Sequence, residues 1–189
     1  MAWSRYGGLL WCLLSLEFGD DSGYQNTSEF IAATVGILTY LRVAENDGSH
    51  VVIDLRGDSV SALQWADTSQ FNSESVHRAA ILFTLLLVRQ RVVIAEVEHV
   101  AGEDNGTCDD LSRRDKSGSF RRVAQVVPGA IDFRAADDWR VQEAIRLCDP
   151  RSQIPLEEFW KSVGEVVENA RGRDAERRQS LGTPVEGEY

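Results

Sequence analysis

Cysteine is scarce in this 189-residue chain: Cys12, Cys108 and Cys148 are an odd number and have no CxxC spacing. That argues against a disulfide framework and against a structural zinc site built on paired cysteines. A reducing compartment fits best, so the protein is expected inside the cell, in cytoplasm or nucleus. Long apolar runs are also lacking. LLWCLLSL, residues 9–16, is far too short to span a bilayer, so no membrane partner is expected. One arginine ahead of it resembles a signal-peptide start, but no small-x-small cleavage pattern follows, and the run reads as a buried strand. Positive charge is short as well, with 20 Lys and Arg against 30 Asp and Glu and a net charge of -10. Residues 1–113 hold 7 basic against 16 acidic side chains, whereas residues 114–189 hold 13 against 14. Acidity of this kind opposes phosphate binding driven by net charge. Carboxylates that recruit divalent cations reverse that sign locally. No internal repeat is visible.

A hydrophobic content of 43% over this length supports one core of ordinary size. After LLWCLLSL comes a turn-rich stretch, GDDSGYQNTS, and then a helix over 28–43 that is apolar on nearly every face. VVIDL (51–55) is a β-branched strand ending at Gly57-Asp58-Ser59, and SVSALQWA reads as a short helix leaving that turn. Residues 74–90 place Val76, Ala79, Ala80, Phe83, Leu86 and Leu87 on one helical stripe. VVIAEV (92–97) is the next strand, and NGTCDDLSRR opens the last helix of the core. This order predicts an α/β domain over 1–113, with LLWCLLSL, VVIDL and VVIAEV in one sheet. A polar linker over 114–135, a two-helix extension over 136–170 and a disordered tail over 171–189 complete the expected organisation. Pro155 fits the first turn of the second of those helices.

Three acids fall at the ends of elements: Glu29 in the first turn of the long helix, Asp58 after the second clear strand, and Asp109 at the start of the last core helix. Carboxylates on separate rigid elements suit hard octahedral Mg²⁺, with Mn²⁺ as a substitute. Each acid has a plainer structural alternative. Asn26 and Glu29 fit a capping box, Asp58 could cap the helix begun at Ser59, and Asp109 or Asp110 could complement a helix dipole. His99 could be a satisfied strand-end histidine. Pairing it with Cys108 for zinc lacks a second pair of ligands, and aligning an EF-hand loop on Gly106 puts Ala101 first and Ser112 last, which fails.

The stretch HVAGEDNGTCDDLSR (99–113), with GDS upstream and TSEF opening a long helix before that, resembles the ribonuclease H domain of retroelement reverse transcriptases. The likeness runs over residues 4–113 and is most specific in the His-x-x-Gly-x-x-Asn-x-x-x-Asp-x-Leu-Ser-Arg ending. It implies a ribonuclease H-like fold, a central mixed β-sheet flanked by helices. It also implies two-metal hydrolysis of the RNA strand of an RNA/DNA hybrid, with Glu29, Asp58 and Asp109 holding the ions. His99 would assist proton movement or product release, Asn105 would orient its loop, and the parent element's polymerase domain would be a natural partner. The family's leading aspartate precedes a small-residue turn that SRYGG resembles, so it would stand at or ahead of Met1, and the first strand is expected to be lacking. The resemblance thus implies impaired activity, with a catalytically silent interaction module or relic as the alternative.

Overall fold

The computed structural model describes residues 2–5, 8–11, 24–43, 50–71, 73–104, 106, 131–133, 137–172 and 181–184. In chain order these form β1 (Ala2–Arg5), β2 (Gly8–Trp11), α1 (Gln25–Val43), β3 (Val51–Gly57), α2 (Val60–Thr68), α3 (His77–Arg89) and β4 (Val92–His99). β5 (Ile131–Phe133), α4 (Trp139–Cys148), α5 (Leu156–Glu168) and β6 (Leu181–Pro184) follow. Helices and strands alternate through the middle of the chain, so the architecture is mixed α/β.

α1 is buried on several sides because its apolar residues circle the axis. Phe30, Ile31, Val35, Leu38 and Leu41 are fully enclosed, and Phe30 meets Trp65, Phe71 and Phe83 at ring separations of 5.9, 5.5 and 5.1 Å. Edge-on and tilted aromatic contacts of this kind tie α1 to α2 and α3 at one point. Two buried threonines would be awkward in such a helix if left unpaired. Thr34 and Thr39 instead donate to the carbonyls of Phe30 and Val35, at 2.9 and 2.8 Å. The α3 stripe behaves as its spacing predicts, with Val76 just ahead of the helix and Ala79, Ala80, Phe83 and Leu86 all buried.

β3 and β4 run parallel, from Val51 opposite Val92 to Gly57 opposite His99, with a register shift between Ile53 and Asp54. The parallel arrangement needs a long crossover, and α2 with α3 supplies it. Burial alternates along β3: Val51 is buried and Ile53 and Leu55 are half-buried, whereas Val52, Asp54 and Arg56 face outward and are exposed. One face of the pair therefore packs on helices and the other is open.

The single central sheet expected from the sequence is not what forms among the described residues. β2 pairs with β1 antiparallel and with β5 parallel, β5 pairs with β6, and β3 with β4 makes a separate two-stranded sheet. The reason lies in pairing choice: Arg5 opposite Gly8 makes β1 and β2 a local hairpin, and β2's other edge is taken by β5. A strand, Ala2–Arg5, also stands ahead of the turn where none was expected, and it carries no acid. β5 and β6 are short strands within the stretches read as linker and tail.

α4 and α5 share one buried cluster with α1 and α3, through Val141, Ala144, Leu147, Phe159, Val163 and Val166. Polar ties seal this contact. Arg42 Nε meets Asp138 Oδ2 at 2.8 Å with both side chains almost fully buried, and Asp138 also caps α4 by accepting from the Arg140 N–H at 2.9 Å. Gln90 Nε2 donates to the Val167 carbonyl at 2.6 Å, and Arg171 donates to the Gln90 carbonyl at 2.8 Å. Gly172 lies so close to Arg42 that an added Cβ would collide with the Arg42 carbonyl. Among the described residues no helix is long and apolar enough to cross a membrane.

Candidate functional site

The C-terminal ends of β3 and β4 come out side by side. Gly57 is opposite His99, and the Val100 N–H donates to the Gly57 carbonyl at 2.8 Å, which extends the pairing one step past the strand. Asp58 follows directly and is exposed, as is His99. In parallel α/β sheets the loops beyond this end are the usual place for a binding crevice.

The next residue settles one local ambiguity. Ser59 is the N-cap of α2: its backbone is extended and its hydroxyl accepts from the Ala62 N–H at 3.2 Å. Capping by Ser59 is ordinary helix chemistry. It frees Asp58 from that duty and leaves its carboxylate at the strand end, where among the described residues no hydrogen bond or ion pair engages it.

Ser59 also reaches the start of α1, donating from its hydroxyl to Asn26 Oδ1 at 3.3 Å. A second contact, Thr27 Oγ1 to Ser75 Oγ at 2.8 Å, pins the same turn to the segment ahead of α3. Glu29 stands one turn along α1 from Gln25, whose side-chain amide donates to it at 3.4 Å, and it is half-buried. α1 begins at Gln25, so Asn26 lies inside the helix, and the capping box expected between Asn26 and Glu29 does not form. The Asn26 side chain serves α2 instead. Both Asn26 and Ser59 were missed by sequence reasoning, which began the helix at Ser59 with Asp58 as a possible cap; the signal for Ser59 is a serine directly before an apolar helical run.

Asp58 and His99 thus stand at the C-terminal ends of β3 and β4, and the start of α1 reaches the same turn through Asn26, with Glu29 one turn further along the helix. Among the described residues no group of three His, Cys, Asp or Glu side chains is close enough to hold a metal ion. Asn105 and Asp109 lie outside the described residues. The donors available are carboxylate oxygens, the type that hard Mg²⁺ prefers, and an exposed, uncommitted Asp58 fits that role. Nucleophilic chemistry at sulfur is not supported at Cys148: burial pushes its thiol up to about 12, against a weaker opposing pull from Arg78.

The geometry defines a mixed α/β protein with polar residues gathered where two parallel strands end. No protein-family model matches the chain, and neither a curated protein nor a solved structure matches it.

Proposed function

We infer that the chain is a ribonuclease H-like domain of the retroelement reverse-transcriptase type, acting on the RNA strand of RNA/DNA hybrids. The observation that carries this reading is Asp58, released from capping by Ser59 and set beside His99 at the ends of two parallel strands. It joins the His99-to-Arg113 motif to a strand-end location suited to metal-dependent phosphodiester chemistry.

Glu29, Asp58 and Asp109 would hold Mg²⁺ or Mn²⁺, which when bound activates water and stabilises charge on the leaving 3′-oxygen. Asp58 contributes an exposed carboxylate on a rigid strand end. Glu29 contributes one from a helix whose position is fixed by Asn26 and Thr27. His99 would assist proton movement or product release, and Asn105 would orient its loop. An acidic chain depends on these cations to approach a polyanion at all. An intracellular site of action and a polymerase partner belong to the same reading.

The test is cleavage of a labelled RNA/DNA hybrid beside RNA and DNA duplexes, with Mg²⁺ or Mn²⁺, for the parent chain and Glu29→Gln. Slow cleavage of the hybrid's RNA strand alone, lost in Glu29→Gln, is the expected outcome. Cleavage of all three duplexes, or equal rates for parent and variant, would contradict it. A second reading, an interaction module that keeps the fold without cleaving, is favoured by the exposed Val52 and Val93 on the open sheet face.

A further inference from the structure

Arg89, Arg91 and Arg171 meet around one surface pocket, in a chain whose net charge is -10. The pocket holds about 240 Å³, and Gln90 completes its lining. It lies where α3 turns into β4, at the end of the sheet opposite Asp58 and His99. Val92 and His99 are the two ends of the eight-residue β4, about 23 Å apart. We propose that this pocket binds a phosphate group. The proposal does not rest on the hydrolase reading.

The local geometry is fixed from two parts of the chain. Arg89 ends α3, and Gln90 follows it with its N–H donating to the Leu86 carbonyl at 3.0 Å. Arg91 then takes φ 53°, in the left-handed region where glycine or asparagine is the usual residue. Its carbonyl accepts from the Val51 N–H at 3.0 Å, which ties this turn to the start of the β3–β4 pairing. Arg171 arrives from beyond α5. Its Nε donates to Gln90 Oε1 at 3.3 Å and its Nη2 to the Gln90 carbonyl at 2.8 Å, while Gln90 Nε2 donates to the Val167 carbonyl at 2.6 Å. Both acceptors of Arg171 on Gln90 are neutral oxygens, so they orient the guanidinium and do not offset its charge.

Guanidinium groups gathered at one pocket repel each other, and an anion among them turns that repulsion into attraction. The helix dipole accounts for Arg89, the basic residue in the last turn of α3, but not for Arg171, which a different part of the chain brings in. Arginine's planar fork matches phosphate oxygens two at a time, so a single phosphate can accept from more than one of these side chains. Size points to a small ligand. Sites for drug-sized molecules run from about 300 to 1,000 Å³. This pocket is smaller, roughly eight times the volume share of one water, which is room for a phosphate group with part of its hydration shell.

The test is isothermal titration calorimetry of the full chain with sodium phosphate, at constant ionic strength and without divalent metal, beside sodium acetate. Phosphate is expected to bind with a Kd of about 1 mM or tighter, and acetate about tenfold more weakly. Arg89→Gln should weaken phosphate binding about tenfold. Arg91→Gly should do the same in a chain that still folds, as circular dichroism checks, because glycine takes φ 53° without strain. Arg91→Lys keeps the charge without the fork and should cost only about threefold. A short DNA duplex separates the sources of the phosphate. Duplex binding tighter than that of phosphate and lost in Arg91→Gly assigns the group to a nucleic-acid strand, whereas duplex binding that is absent or unmoved by the variants assigns it to a free anion. No binding of phosphate up to about 20 mM, acetate bound as tightly as phosphate, or Arg89→Gln and Arg91→Gly that bind phosphate as the parent does would overturn the proposal.

Discussion

The helical side of the molecule and the β3–β4 side solve opposite problems. Around α1, α3, α4 and α5 several buried polar groups are joined across the chain: Arg42 to Asp138, Gln90 to Val167, Arg171 to Gln90. On the other side a parallel pair has, among the described residues, no further strand on either edge and one exposed face, with Asp58 and His99 exposed at its end. Parallel sheets are ordinarily covered on both faces, and two strands alone are marginal, so this side depends on the helices for its stability. The lesson is a division of labour. The helices hold the fold, and the strand ends leave Asp58 and His99 exposed.

Breaking the sealed side should have the largest effect. Asp138→Ala leaves Arg42 buried without its carboxylate and removes the α4 cap, so a loss of about 3–5 kcal/mol is expected by urea unfolding. A loss below about 1 kcal/mol would mean that the contact between α1 and α4 does not hold the two together. Gly172→Ala should come next, at about 1–3 kcal/mol, because the added methyl meets the Arg42 carbonyl backbone rather than a flexible side chain.

Cys148 sharpens the same comparison through pH. Its thiol is raised in the folded chain from 9.0 to about 12 by burial, so the stabilisation it carries is fully present below pH 9 and fades as pH rises toward 12. The parent chain should therefore lose stability relative to Cys148→Ala across that window. Parallel curves for the two proteins would place the thiol nearer to water. Alkylation at pH 8.5, mapped by peptide mass, should likewise leave Cys148 untouched until the chain unfolds.

Much of the middle of the chain was legible because its signals are local. The β-branched runs at 51–55 and 92–97 are strands, and the 74–90 stripe packs inward, because period and turn residues act over a few positions. α1 was legible as a many-sided helix but starts at Gln25, since Asn26 is used by Ser59 across the fold and does not cap its own helix. The partition into two sheets was not legible. An apolar strand such as Gly8–Trp11 carries no mark of which neighbour it will choose. The Arg42–Asp138 pair was hidden for the same reason, as it joins residues 96 positions apart. Asp58 and His99 at the ends of β3 and β4 could be read from motif and turn chemistry, whereas Glu29, expected in the first turn of α1, lies a full turn in because the helix begins at Gln25. Asp58's freedom from capping could not be read, because Asp58 and Ser59 are both good caps in sequence and only the structure assigns the task to Ser59.

The most direct test of this division is to measure stability and hybrid cleavage on one variant, Asp58→Asn. An exposed residue outside the packed core should change unfolding free energy by less than about 0.5 kcal/mol. The same substitution should abolish Mg²⁺-dependent cleavage of the RNA strand, since it removes a carboxylate that would hold the metal. Unchanged stability with lost cleavage is the predicted result. A variant that unfolds more easily by several kcal/mol, or one that cleaves as fast as the parent, would contradict the account.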